Sequence, residues 1–216
     1  MTTDTNVIFI SGIDTDAGKS YATGHIAKML AAQGMKAITQ KFIQTGCHDY
    51  SEDIELHRKI MGIPAAPQDI DHTTAPVIFS YPASAQLAAR IDNSEIDLSL
   101  VAEATQKLAR DYDVVLIEGA GGLMVPITDT YSTIDYVADH NLPLALVTNG
   151  KLGSINHTIL SLEAIKDRNI KLKWLIYNEH FDTDPIISAD TRGYIRRYLD
   201  RHFPDTEIIV VPSIKL

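Results

Sequence analysis

A lysine and a serine closing a glycine-bounded turn, Gly12-Ile-Asp-Thr-Asp-Ala-Gly-Lys-Ser20, are the residues of this chain best suited to chemistry on phosphate. The turn follows the apolar run Val7 to Ile10 and leads straight into a helix-patterned segment. A strand that turns directly into a helix aims several backbone N–H groups at one point, where the helix dipole also favours negative charge. Lys19 adds a mobile cation for the outer phosphates of a nucleotide, and the Ser20 hydroxyl supplies an oxygen ligand for magnesium. Five residues, Ile13 to Ala17, separate Gly12 from Gly18, one more than in the common phosphate-binding pattern, so the loop is a variant. Gly-Lys-Ser by itself also fits a plain tight connection; the strand before it and the helix after it favour the phosphate reading.

A second candidate is Glu118, which ends the apolar run Val114 to Ile117 and is followed by Gly119, Ala120, Gly121 and Gly122. An acid at the carboxyl end of a buried parallel strand projects into the crevice where ligands of open α/β sheets bind, and small residues after it allow close approach. Phosphoryl transfer needs a lysine, a metal and hard oxygen ligands for that metal. Ser20, Glu118 and an acid near Asp53 make such a set. Asp53 alone is a weak signal, because Asp49, Glu52 and Glu55 beside it fit a solvated acidic face.

Other chemistries lack their residues. There is no Gly-x-Ser-x-Gly elbow for a nucleophilic serine, no His-Glu-x-x-His pair for zinc and no Gly-x-Gly-x-x-Gly for a dinucleotide. The 8 histidines are scattered and read as surface or helix-end residues. One cysteine, Cys47, excludes an internal disulfide and a cysteine metal cage and suits a reducing compartment. A net charge of −9 argues against a broad grip on nucleic acid, so any phosphate site is local. No apolar run approaches the ~20 residues of a membrane span. The polar segment Met1 to Asn6 resembles neither a signal peptide nor a transit helix, which leads us to expect a cytoplasmic protein.

The elements that must hold these residues follow from periodicity. Val7 to Ile10 reads as a buried strand, and Ala22, Ile26, Met29 and Leu30 share a helical face that ends at Gly34. Residues 37 to 43 complete a strand-helix-strand unit with a right-handed crossover. Helices are expected from about Ile54 to Met61, over Ser84 to Arg90 and over 98 to 112, with an irregular stretch around the prolines at 64, 67, 76 and 82. Further strands are expected over Val114 to Ile117, Leu142 to Thr148, Lys173 to Tyr177 and Ile208 to Val211. A helix capped by Ser154 and another opened by Asp184-Pro185 and running to about His202 complete the pattern. Six buried strands alternating with helices predict one three-layer α/β domain over residues 1–216.

The motifs together resemble the dethiobiotin synthetase family of biotin synthesis nearly end to end. They are the long loop Gly12 to Ser20, Lys41 with Thr45-Gly46, Asp53, Pro82-Ala83-Ser84, Glu118-Gly-Ala-Gly-Gly122 and Lys151-Leu-Gly-Ser-Ile-Asn-His157. The resemblance implies a P-loop NTPase-type fold with a mostly parallel central sheet, and a homodimeric ATP- and Mg2+-dependent cyclo-ligase. That enzyme carboxylates 7,8-diaminononanoate with carbon dioxide and closes the ring through a carbamate and a carbamic-phosphoric anhydride. It also implies roles for individual residues. Asp14, Thr15, Asp16, Ala17, Gly18, Lys19, Ser20 and Tyr21 belong to the nucleotide site with Glu118, Asn178 and Pro212, Asn178 facing the adenine. Ser20, Asp53 and Glu118 bind magnesium, and Lys19 and Lys41 are catalytic. Asp16, Lys41, Thr45, Ser84 and Gly121 meet the diamine or its carbamate. Gly153, Ser154, Ile155 and Asn156 receive the substrate carboxylate across the dimer interface, although the residues alone fit a plain turn with a serine cap.

The chain departs from the usual family pattern at Ile13, Phe42 and Thr45, where threonine, proline and serine are commoner. Four residues follow Pro212, leaving little chain to enclose a purine, so base preference stays open. The rival reading is a nucleotide-switch ATPase of the partitioning kind. Those proteins place a lysine five positions before the loop lysine, where this chain has Asp14. An amidating cobyrinate-type synthetase would need a glutaminase domain, for which 216 residues leave no room.

Overall fold

The computed structural model of the chain describes residues 6–215; the N-terminal reading falls on residues 1–5 and so lies outside them, apart from Asn6. In chain order come β1 (Val7–Gly12), a 3-10 turn (Thr15–Ala17), α1 (Lys19–Ala32), β2 (Ala37–Lys41), β3 (Gln44–Thr45), α2 (Glu52–Met61), α3 (Pro67–Ile70) and β4 (Ile78–Phe79). They are followed by α4 (Ala85–Ile91), α5 (Leu98–Asp111), β5 (Val114–Gly122), α6 (Thr133–Asp139), β6 (Leu144–Asn149), α7 (Ser154–Asp167) and β7 (Leu172–Asn178). A second 3-10 turn (Glu179–Phe181), α8 (Pro185–His202) and β8 (Glu207–Val211) close the sequence of elements.

Side chains alternate across a strand, and here the alternation builds two cores. Val7 and Phe9 of β1 pack on one face of the sheet with Val115, Ile117, Leu144 and Leu146, while Ile8 and Ile10 pack on the other with Leu116, Ala145 and Val147. Both faces are apolar, as expected of a parallel sheet covered on both sides. The order is β2-β5-β1-β6-β7-β8 and every neighbouring pair is parallel. This is the three-layer P-loop NTPase-type architecture expected from the sequence. Helix α1 turns Ala22, Ile26 and Leu30 inward, with Met29 half-buried beside them. Asp184 caps α8, accepting from Ile186 N (2.8 Å) and Ile187 N (3.1 Å), with Pro185 in the first turn.

Several local expectations are corrected. The second strand stops at Lys41 instead of 43, and the chain then pairs again, β3 with β4, in a small parallel sheet that its two-residue strands gave no periodicity to reveal. β5 continues through Glu118 to Gly122, with an irregularity opposite Ile10 and Gly12. α3 and α6 were not anticipated; α6 starts where Asp135 reaches back to accept from Ser132 N at 2.8 Å. Ser154 is not the cap of α7. Gly153 caps it with φ +94°, and Ser154 enters the first turn with its hydroxyl buried and unpartnered.

One close approach shapes the site. At Gly24 on α1 an added Cβ would stand 3.0 Å from Ile60 Cβ and 3.2 Å from His57 Cα of α2, so the missing side chain is what lets α2 lie flat on α1. A bulky residue there forces the two helices apart. Gly24→Val is expected to lower stability by about 1–3 kcal/mol through overpacking, measured by chemical denaturation.

Candidate active site

Strand order brings the chemistry together. β5 lies between β2 and β1, and in its register Lys41 pairs with Glu118 while Ile10 pairs with the same residue from the other side. Lys41, Glu118 and the loop after Gly12 therefore meet at one carboxyl edge, where the sheet's ligands are expected. α2, seated on Gly24, brings Asp53 to the same point.

The result is a tight cluster of charges. Ser20 Oγ lies 2.6 Å from Asp53 Oδ1 and 2.9 Å from Glu118 Oε1, with one hydroxyl proton between the two carboxylates. Lys41 Nζ donates to Glu118 Oε1 (2.8 Å) and to Gly119 O (3.3 Å), and forms an ion pair with Asp53. Glu118 Oε2 is held by His57 Nε2 at 2.7 Å. Burial alone would push the Glu118 carboxyl up, but Lys41 and His57 outweigh it and hold its pKa well below the usual carboxylate range. Burial likewise opposes the charge of Lys41, yet Glu118 and Asp53 raise its pKa above the ordinary value. Lys19 differs: burial lowers its pKa, Glu118 pulling the other way. Its Nζ donates to Asp14 O and Thr15 O, each at 3.0 Å.

The donor set suits a small hard cation. Two carboxylates and a hydroxyl converge with fewer protons than acceptor oxygens, and Mg2+ binds through one or two carboxylates completed by water and phosphate. No group of three or more His, Cys, Asp or Glu among the described residues makes a closed metal cage.

A cleft of about 440 Å³ opens beside this cluster, lined by Thr15, Asp16, Gly18, Lys19, Ser20 and Tyr21 on one wall and Asn178, His180, Phe181, Pro212 and Ile214 on the other. Gly18 is left-handed (φ +88°), and an added Cβ would fall 2.0 Å from Asn178 Nδ2, so the last glycine of the loop also admits β7. Asn178 Nδ2 donates to Ala17 O (3.2 Å). Tyr21 stacks on His180, their rings 13° from parallel, and Lys151 Nζ sits 3.9 Å above the Phe181 ring while reaching Asp16 O.

The structure thus gathers Lys19, Ser20, Lys41, Asp53 and Glu118, and places Tyr21, Asn178 and Pro212 on the adjoining cleft. Gly121 passes beside Thr15 of the loop. Thr45 stands on β3, and Ser84 is the exposed cap of α4; Pro82 packs on Gly46, joining these two stretches. Gly153 and Asn156 are exposed at the start of α7, outside the cluster. The expectation that the histidines are surface or helix-end residues fails at His57, which is fully buried on Glu118. Its signal was present: Asp53 and His57 are four apart on one helix, hence on one face. His180 and Phe181 were also missed, although a ligand-side loop after β7 was to be expected from the fold.

A family model described as an AAA domain matches residues 6–211. The ATP-dependent dethiobiotin synthetase of Haemophilus ducreyi is 48% identical over 205 residues, 95% of this chain and 97% of that protein. The corresponding protein of Pasteurella multocida is 46% identical, covering 97% of this chain and 99% of its own length, and that of Chlorobaculum tepidum 47%, covering 91% and 82%. The chain belongs to the dethiobiotin synthetase family. A ParA family ATPase from Chlorobium tepidum superposes with TM-score 0.55 at 16% identity over 98% of this chain and 86% of that one. Chloroplast FtsY from Physcomitrella patens gives 0.55 at 16%, over 97% of this chain and 58% of that one. Those two likenesses establish the shared fold. Among the described residues no helix is long and apolar enough to cross a membrane.

The charge cluster has a testable pH signature. A glutamate whose folded pKa is depressed stabilises the fold fully above its unfolded value, near 4.5, and loses that contribution as pH falls through the folded pKa. Lys41, raised above 10.5, contributes below that value and loses it at still higher pH. Lys41→Met, which strands two carboxylates, is expected to cost about 3–5 kcal/mol at pH 7 by urea titration, and less below pH 4.

Proposed function

We propose that the protein is a magnesium-dependent dethiobiotin synthetase that uses ATP to convert 7,8-diaminononanoate and carbon dioxide to dethiobiotin, ADP and phosphate, with the catalytic unit formed as one domain. The observation that carries this reading is Lys41, held between Asp53 and Glu118 and next to the Ser20 hydroxyl, in a chain 46–48% identical to named dethiobiotin synthetases. A second cation beside a phosphate loop is what a reaction between two anions requires.

In this reading the substrate amine captures carbon dioxide, forming a C–N bond and releasing a proton. A carbamate oxygen then attacks the γ-phosphorus of ATP; an O–P bond forms, the bond to the β-phosphate oxygen breaks and ADP leaves. Lys41 faces the carbamate and Lys19 the phosphates, relieving the repulsion between them. The second amine attacks the carbonyl carbon of the mixed anhydride, and phosphate departs as the ring closes. Ser20, Asp53 and Glu118 hold the magnesium ion, which supplies charge neutralisation at the phosphates. The loop residues from Asp14 to Tyr21 bind the triphosphate, with Asp16 also toward the diamine. Asn178, Pro212 and the ring pair of Tyr21 and His180 enclose the base. Thr45, Ser84 and Gly121 border the diamine.

We assign the working form as a homodimer in which Gly153, Ser154, Ile155 and Asn156 of one protomer receive the substrate carboxylate of the other. Support comes from exposed apolar side chains on this side of the molecule: Leu152 is 93% exposed, Leu160 62% and Met124 59%. Leu160 and Met124 border a cleft of about 520 Å³ that also contains Asp14 and Thr15 of the loop. A helix N-terminus is a favourable place for a carboxylate.

Nucleoside diphosphate release, measured with ATP, GTP and CTP with and without diamine and bicarbonate, is expected to require the diamine; hydrolysis indifferent to it would favour the switch-ATPase reading. Lys41→Ala is expected to lower turnover about 10²–10³-fold while retaining nucleotide affinity, whereas Lys19→Ala weakens both. Leu160→Glu is expected to shift the mass seen by light scattering from dimer to monomer and to reduce turnover with it.

A further inference from the structure

A chain of side chains runs from outside the active site to the back of Glu118, and neither phosphate nor diamine binding uses it. Asp69, on α3, accepts from Arg58 Nε (2.9 Å) and Nη2 (2.8 Å) and is pinned by Ala66 N and Thr74 Oγ1. Arg58 Nη1 donates to Thr39 Oγ1 at 2.8 Å, and Thr39 Oγ1 lies 3.0 Å from His57 Nδ1. His57 Nε2 then meets Glu118 Oε2 at 2.7 Å. Thr39, His57 and Arg58 are all buried, at 0%, 0% and 4% exposure.

Counting protons gives the chain a direction. A guanidinium only donates, so Arg58 occupies a lone pair of Thr39 Oγ1. The threonine hydroxyl has one proton, and His57 Nδ1 is its other partner at hydrogen-bond distance. The ionised Glu118 Oε2 can only accept, so His57 Nε2 carries a proton, and in the neutral imidazole Nδ1 is then the acceptor that takes the single Thr39 proton. The reverse tautomer would put two lone pairs face to face across 2.7 Å. The glutamate is held by one oxygen, and Oε1 is left turned toward Ser20 and Lys41.

We infer that the Arg58-Thr39-His57 relay is the positioning device for Glu118: it fixes the tautomer of His57 and commits Oε2 to anchoring, so that Oε1 alone faces the cation site. This deepens the proposed function and rests on its metal assignment. Partners of this kind behind a metal ligand typically change metal affinity or activity 10- to 100-fold when removed. The irregular stretch between α2 and β4 also gains a purpose, since α3 supplies the Asp69 that orients Arg58.

The test reads metal affinity directly, by electron paramagnetic resonance titration of Mn2+ into protein saturated with a non-hydrolysable ATP analogue. His57→Leu and Thr39→Val are each expected to raise the Mn2+ Kd about 10-fold or more, leaving metal-free analogue affinity within about 2-fold. His57→Gln, which keeps an N–H donor near the Nε2 position, is expected to recover most of the loss. Wild-type Mn2+ affinity in Thr39→Val, or a Gln variant no better than Leu, would overturn the relay; Thr39→Val keeps the threonine's shape and so decides the matter even if His57→Leu does not fold. A wild-type complex that binds the analogue but no Mn2+ would instead overturn the metal assignment itself.

Discussion

Lys41 holds its charge where water hardly reaches, and the carboxylates of Glu118 and Asp53 beside it make that possible. An ion taken out of water is strongly penalised unless it is paired and hydrogen-bonded. The three groups thus require one another, and Ser20 and His57 complete the set. Much of the architecture serves this requirement: β5 between β1 and β2 for Glu118, Gly24 for the close seating of α2, and α2 for Asp53 and His57.

The charge pattern also separates the two lysines by task. Lys41 is committed to carboxylates, with its pKa raised by them, whereas Lys19 is lowered by burial and bonded to two loop carbonyls. A lysine on neutral carbonyls exchanges them for phosphate at modest cost. One paired with two carboxylates and a carbonyl keeps a fixed position.

Much of this was legible in the sequence because its causes are local. Two-faced apolar strands, the Asp184-Pro185 start and the Gly12 to Ser20 loop each announce themselves within a few residues, and all appear in the fold. What escaped depends on contacts between distant segments. The two-residue strands β3 and β4 have no periodicity, and Gly24 is an ordinary mid-helix glycine until α2 lies on it. Asp53 sits in an acid-rich run whose other members, Glu52 and Glu55, are exposed, so only the tertiary fold tells it apart. His57 was passed over because a buried histidine is recognised by its partners, Thr39 and Glu118, which lie 18 and 61 residues away.

The strand order imposes a timetable on the growing chain. Ser20 and Glu118 are 98 residues apart, and β1 and β2 become near neighbours only when β5 inserts between them. Until Glu118 has left the ribosome, Lys41 and His57 lack a principal partner, and both early strands keep open edges. Such non-local pairing is slow and exposed to misassociation. The segment ending at Gly122 carries every member of the charge cluster, while the residues from β6 onward add the far wall of the cleft, with Asn178, His180, Phe181 and Pro212. Synthesis therefore completes the charge cluster before the residues that form the far wall of the cleft have emerged.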